Sequence, residues 1–293
     1  MVIVRIIGGL GNQLFQYAAG RRLAILHDTN LKLDITSFAD YKWHAYSLKP
    51  FRIEEQFTTW EEIESVKRTA QKGLAKVISS VNRRYSPWYR PNVLVESGLK
   101  PYDQRIIRTA KDVYLNGYWQ SDKYFAEIQE LIRTEFSIRY EPDHKSQEIG
   151  KMIANAQSVS IHVRRGNYVS NPQVNSVHGT CSVEYYQECV KRIGERVDHP
   201  HLFVFSDDLS WVRENLRFDY PTTFVDHNDA TRDYEDLRLM SMCKHQIIAN
   251  SSFSWWAAWL NSNPSKLVLA PRRWVRDSGI DLSDLFPSDW MLV

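Results

Sequence analysis

Cysteine is scarce in this 293-residue chain, which carries only Cys181, Cys189 and Cys243. They make no C-x-x-C pair, and an odd number cannot all be bridged, so no disulfide framework is encoded and a reducing, cytoplasmic compartment fits. An excess of charge of either sign is lacking too. Thirty-seven basic residues stand against thirty-five acidic ones, a net charge of +2, which argues against a nucleic-acid partner and makes any anion site a local cluster. No apolar run approaches the roughly eighteen residues of a membrane span. The run Met1–Ile7 is broken by Arg5 and closed by Gly8-Gly9, unlike a secretory leader. Peripheral contact with an inner membrane face stays open.

Two chemical signatures are missing as well. D-x-D, a carboxylate pair that often holds a divalent ion, occurs nowhere, and His199 and His201 merely flank a proline, so no metal site is expected. G-K-[ST] is absent, so there is no P-loop.

Aromatic side chains are plentiful, with ten Trp and fifteen Tyr, and 43% of residues are hydrophobic against 25% charged. Such a chain buries a sizeable core, and at this length cores begin to split in two. The first βαβ unit is legible. Val2–Ile7 is a β-branched run, Gly8, Gly9 and Gly11 permit a tight turn, residues 12–27 space Leu14, Phe15, Ala18, Ala19, Leu23 and Leu26 as a helix, and Leu31, Leu33 and Ile35 alternate. Residues 60–84 continue as a basic helical segment carrying Lys67, Arg68, Lys72, Lys76, Arg83 and Arg84, which a solvated face explains best. Ser86–Pro91 breaks it. A linker near 139–147 leads to short apolar runs at 159–163, 202–205, 222–225, 246–249 and 267–270, separated by helical segments. That alternation predicts parallel sheets covered on both faces, in an N-terminal domain 1–142 and a C-terminal domain 143–293.

Ligands of parallel sheets lie beyond the carboxyl ends of the strands. Four loops there are polar: Gly8–Gln13, Arg164–Tyr168, Ser206–Asp208 and Asn250–Ser254. Gly9 and Gly11 let backbone approach a ligand. Arg164 and Arg165 offer guanidinium forks to a diphosphate, one for contact and one as a brace. Asn250, Ser251 and Ser252 open a helix, where hydroxyls and N–H groups attract an anion. Asp208 is equally a plain helix cap or a ribose ligand. A dinucleotide site also begins as strand, glycine turn, helix and strand, here with Asp34 at the end. Its G-x-G-x-x-G fails, because Leu14 stands in place of the third glycine.

Three of these stretches, Gly8–Ala18, His162–Tyr168 and Asn250–Leu260, together resemble the α-1,2-fucosyltransferases of glycosyltransferase family 11 over residues 3 to about 290. The resemblance implies a GT-B fold, two facing Rossmann-like domains with parallel sheets, acceptor on the N-terminal side and donor on the C-terminal side. It implies inverting, metal-independent transfer of L-fucose from GDP-fucose to the 2-hydroxyl of a terminal β-galactoside such as lactose, N-acetyllactosamine or a lipid-linked oligosaccharide, with no cofactor. By the same resemblance Arg164 holds the diphosphate and Asn12 sits near the reacting sugar. Ser206, Asp207, Asp236, Ser251, Ser252 and Phe253 then surround guanosine and phosphate. The family commonly has aspartate where this chain has Asn167, so the general base passes to His178, for which a loop-bracing histidine is the equal alternative. The aromatic patches Tyr41–His44 and Tyr114–Trp119 are expected at the acceptor or in the core. A dinucleotide-dependent oxidoreductase and a non-catalytic glycan-binding protein are the competing functions.

Overall fold

A computed structural model describes residues 1–39, 44–72, 92–96 and 98–293, with residues 69–72 as backbone alone. It divides into two units. The first comprises Met1–Ser137 and Asp281–Leu285, the second Ile138–Ile280 and Phe286–Val293. The chain changes unit between Ser137 and Ile138, where the sequence expectation put a boundary at 142. Asp284 accounts for the returning segment, accepting the Tyr102 N–H at 2.9 Å and pairing with Lys123.

In the first unit, β1 (Val2–Arg5) is followed by α1 (Leu10–Leu26), β2 (Leu31–Asp34), α2 (Trp60–Lys72), β3 (Val93–Val95), β4 (Val113–Asn116) and α3 (Gln129–Glu135). The four strands lie in the order β2-β1-β4-β3, all parallel. Strand β1 ends sooner than its apolar run suggests, and Gly8, at φ +78, turns the chain into α1 two residues early. Gly9 is the N-cap, so Gly11 and Asn12 fall in the first helical turn. Helix α1 is buried on most of its surface, and Gly20 lets it lie close to the sheet. A Cβ there would meet Leu31 at 2.9 Å and Val4 at 3.1 Å. Arg21 and Arg22 form ion pairs with Glu135 and Glu127. Lys67 in α2 sits 4.3 Å from the Tyr114 ring centre. Arg68 pairs with Glu64 one turn earlier at 3.7 Å, and Lys72 ends α2; Lys76, Arg83 and Arg84, the break at 86–91 and the patch at Tyr41–Trp43 lie outside the described residues.

The second unit runs α4 (His144–Ala154), β5 (Gln157–Val163), α5 (Gly166–Ser170), α6 (Pro172–His178), α7 (Val183–Gly194), β6 (Pro200–Ser206), α8 (Leu209–Asn215), β7 (Thr222–Phe224), α9 (Asp233–Met242), β8 (His245–Ile247), α10 (Ser252–Leu260), β9 (Val268–Ala270) and β10 (Met291–Leu292). Its parallel sheet has the order β10-β9-β8-β5-β6-β7. After its first residue β5 is buried throughout, as a central strand covered on both faces must be. Val159, Ile161 and Val163 pack with Tyr186, Cys189 and Ile193 of α7. The aromatic excess goes largely inward, with Trp255, Trp256, Trp259 and Trp290 forming one ring cluster. Among the described residues no helix is long and apolar enough to cross a membrane.

Strand order fixes where ligands belong. In the second unit the direction of winding reverses between β5 and β8. Loops leaving the two sides of such a switch point diverge and open a crevice at the carboxyl edge.

Candidate active site

In the second unit the switch-point loops are Arg164–Tyr168 after β5 and Asn250–Ser251 after β8, with Ser206–Asp208 following the neighbouring β6. The strand stops at Val163, so both arginines lie in the turn. Their side chains still part company. Arg164 places Nη1 2.8 Å from Asp207 Oδ2 and donates through Nη2 to Asn167 Oδ1 at 2.7 Å. Arg165 donates through Nε to Asp208 Oδ2 at 3.2 Å, and its guanidinium lies 3.7 Å from the centre of the Trp211 ring. Arg165 is thus a brace, held by an ion pair and a cation–π contact. Asp207 is the common anchor, because its Oδ1 accepts the Arg165 N–H at 2.8 Å. Gly166 makes this possible, since a Cβ there would stand 2.4 Å from Asp207 Oδ2.

Asp208 also caps α8 through the Trp211 N–H at 3.2 Å, while its own N–H goes to the Ser206 hydroxyl at 2.9 Å. Both carboxylates are therefore engaged with this chain's own groups.

The loop after β8 joins the arginine loop through Tyr168. Its hydroxyl donates to Asn250 O at 3.3 Å, its ring lies 5.4 Å from the Arg164 guanidinium, and its opposite neighbour is the His178 ring, stacked at 4.8 Å and 10°. Asn250 spends its amide on bracing, donating to the carbonyls of His178, Gly179 and Trp274 at 3.1, 3.3 and 3.1 Å. The Ser251 N–H turns back to Ala249 O at 2.8 Å, and its hydroxyl makes no capping bond. Helix α10 begins at Ser252, so its N-terminal end lies at this loop, where the helix dipole favours an anion. Phe253 packs its ring 5.4 Å from that of His162.

Electrostatics separates the titratable groups. Burial and the Arg164 charge push His178 below the ordinary histidine value, so it is neutral near pH 7, and its Nδ1 is buried without a hydrogen-bond partner. The same two causes take His162 down to about 3. Burial raises Asp236 to about 7 against the hydrogen bond it accepts from Asn228 at 2.8 Å, and raises Asp233, one turn earlier on α9, to about 6 against the attraction of Arg164. Asp233, which feels the Arg164 charge, joins the candidate site, and the sequence did not single it out. Its spacing from Asp236 was a usable signal.

In the first unit Asn12 accepts a hydrogen bond from Gln120 Nε2 at 2.7 Å. Gly9 lies under His44, whose ring a Cβ would approach to 3.3 Å. Asp34 is buried and accepts from the Tyr114 hydroxyl at 2.7 Å and from Thr36 N at 3.0 Å. A dinucleotide site needs that carboxylate presented to ribose, and here it is consumed inside the fold. Tyr114 and Trp119 are core residues. Among the described residues no three His, Cys, Asp or Glu side chains group as metal ligands.

Residues 96–293 match the family described as glycosyl transferase family 11. An alpha-1,2-colitosyltransferase of Escherichia coli is 32% identical, with 100% of this chain and 99% of the relative covered. The O-antigen biosynthesis glycosyltransferase WbnK of the same species is also 32% identical over 97% of each chain. Galactoside alpha-(1,2)-fucosyltransferase 1 of Leontocebus fuscicollis is 26% identical over 50% of this chain and 42% of its own. Among solved structures, NodZ alpha-1,6-fucosyltransferase co-crystallised with GDP superposes with a TM-score of 0.51 at 13% identity, covering 88% of this chain and 91% of that one. A mutant of Arabidopsis thaliana FUT1 in complex with GDP gives 0.50 at 12% identity, covering 92% and 70%. At such identities the likeness speaks for the fold alone, which is GT-B type with parallel sheets in both units.

Proposed function

The chain belongs to glycosyl transferase family 11, and from that premise we propose that it is an inverting α-1,2-fucosyltransferase, moving L-fucose from GDP-fucose to the 2-hydroxyl of a terminal β-galactoside without a metal ion. The second unit is the donor side and the first the acceptor side. The observation that carries this reading is the bracing of Arg164 at the β5/β8 switch point, where a fixed fork of donors meets the opening of α10 through Tyr168.

In the proposed step the acceptor oxygen bonds to C1 of the sugar as the C1–O bond to diphosphate breaks, through an oxocarbenium-like state. Negative charge grows on the departing GDP. Arg164 and the first-turn amides of α10 stabilise it from positions set before the reaction, and one such donor is worth about 100- to 1,000-fold in rate. The acceptor proton passes to the imidazole of His178, which is neutral and so able to take it. Asp236, Ser206 and Phe253 hold the nucleoside, and Asn12 acts at the reacting sugar. The work is done in the cytoplasm, with peripheral contact at the inner membrane as its membrane association.

The relative named for colitose favours a second donor, GDP-colitose, for the same site. Thermal-shift measurement with GDP, UDP and NAD, followed by transfer from GDP-fucose and GDP-colitose to lactose and N-acetyllactosamine, tests both. The reading expects stabilisation by GDP alone and a 2-linked product. Stabilisation by NAD alone restores the oxidoreductase, and glycan binding without any GDP effect restores the lectin.

A further inference from the structure

The loop after β4 is held in a conformation that its own residues disfavour. Trp119 has φ +54, a left-handed backbone that is sterically disfavoured for an L residue other than glycine. A bulky side chain stays there only where its surroundings over-determine it. The surroundings here are chiefly Glu96, the residue after β3. Its Oε2 accepts the N–H of Tyr118 at 2.7 Å and of Trp119 at 2.8 Å, while its own N–H bonds to Asn116 O at 2.9 Å. Gly117 gives the carboxylate room, because a Cβ at that position would lie 2.5 Å from Glu96 Cβ and 3.0 Å from Oε2. The two bonds are charge-assisted, and burial nonetheless leaves the Glu96 carboxyl above its ordinary pKa.

What the clamp controls is the next residue. Gln120 donates to Asn12 Oδ1 at 2.7 Å, and Gly117 O accepts from Gln16 Nε2 at 3.2 Å, so the loop is fastened to α1 at two points. These contacts join the segments that follow β1 and β4, which are neighbouring strands of the first sheet. Bonding Oδ1 to Gln120 also fixes the orientation of the Asn12 amide, leaving its Nδ2 over Gly8, where a Cβ would stand only 2.7 Å away.

We propose that Glu96 is a positioning residue for sugar transfer: by clamping the Tyr118–Trp119 turn it sets Gln120, and through Gln120 the side-chain amide of Asn12. This rests on the reading of Asn12 as a transfer-site residue. A misplacement of about 1 Å at a reacting group costs on the order of 100-fold. Glu96→Ala is therefore expected to lower kcat about 10- to 100-fold with little change in KM for the donor sugar nucleotide. Glu96→Gln keeps an oxygen that accepts both N–H groups and is expected to restore kcat to within about threefold of the parent.

Amide hydrogen exchange across residues 117–120 is the readout that does not depend on turnover. It should accelerate in Glu96→Ala and stay protected in Glu96→Gln. Gln120→Ala should reproduce the loss in kcat, which covers the case in which Glu96→Ala does not fold. Loss of turnover in Glu96→Gln with exchange still protected would overturn the proposal, because the carboxylate would then act in the chemistry itself. So would normal turnover in both Glu96→Ala and Gln120→Ala. If those variants behave as expected while Asn12→Ala retains full activity, it is the reading of Asn12 that falls, and the exchange data still decide whether the clamp exists.

Discussion

Asp207 holds Arg164 by its side chain, with Oδ2 2.8 Å from Nη1, and secures the same turn from behind by accepting the Arg165 N–H on Oδ1 at 2.8 Å. Both partners of the ion pair are roughly a quarter exposed, at 27% and 25%. A pair so exposed adds at most about 1 kcal/mol to stability. On the proposed reading its value is in the aim of the guanidinium, because fixed donors beside a departing diphosphate affect the rate far more than the fold.

Arg164→Lys should fail as badly as Arg164→Ala, each losing about 100- to 1,000-fold in kcat. A lysine keeps the charge but cannot face Asp207 and Asn167 with two nitrogens while presenting others to phosphate. Steady-state kinetics on folded protein checks this. Near-normal turnover in either variant removes Arg164 from the site.

Gly166→Ala should imitate Asp207→Ala. The new Cβ would stand 2.4 Å from Oδ2 and 3.0 Å from Cγ of a carboxylate that has no slack, being bonded on both oxygens. Each single change is expected to cost about 10- to 100-fold in kcat, and the double variant no more than the worse single one, since both break the same contact. Additive losses would show that Gly166 acts on something else.

Burial lifts the folded Asp236 carboxyl to about 7, against an ordinary value of 3.8. The folded state therefore holds this proton more tightly than the unfolded state. Stability from this group is complete below about pH 4, falls as pH rises toward 7, and is gone above it. Asp236→Asn should consequently melt like the parent at pH 4 and a few degrees higher at pH 8, for a gain of about 1–2 kcal/mol. The same variant should bind GDP more weakly if the carboxylate holds the base. Equal melting at both pH values would refute the shift.

His178 is pushed below 6.5 by burial and by Arg164. The kcat/KM profile should then have an acid limb below the usual histidine range, and His178→Gln should lose that limb along with about 100- to 10,000-fold in rate. A limb that survives the substitution assigns the proton to another group, and Asp233, at about 6, is the first to examine.

Much of the regular structure was plain in the sequence, since β-branched runs such as 159–163 are central strands and the loops after them must carry polar function, but β4 (Val113–Asn116) showed only as part of an aromatic patch. Strands β3 and β10, with three and two residues, are too short for any periodicity to show. The arginine and Asn-Ser-Ser loops were legible because each directly follows a buried strand. What the arginines do was less so. That Arg165 rests on Trp211, or that Asn250 turns its amide inward onto three carbonyls, depends on segments distant along the chain. Trp119 at φ +54 contradicts its own propensity, so only the packed neighbourhood of Glu96 and Gly117 reveals it.

On the function proposed above, protein groups alone, Arg164 foremost, make the nucleotide diphosphate leave. That is tested most directly by single-turnover transfer from the GDP-sugar to a β-galactoside in excess chelator, with the product linkage read by NMR. An α-1,2-linked product formed at an unchanged rate with chelator present is the expected result. Transfer that stops in chelator and returns only when a divalent ion is added back would contradict it.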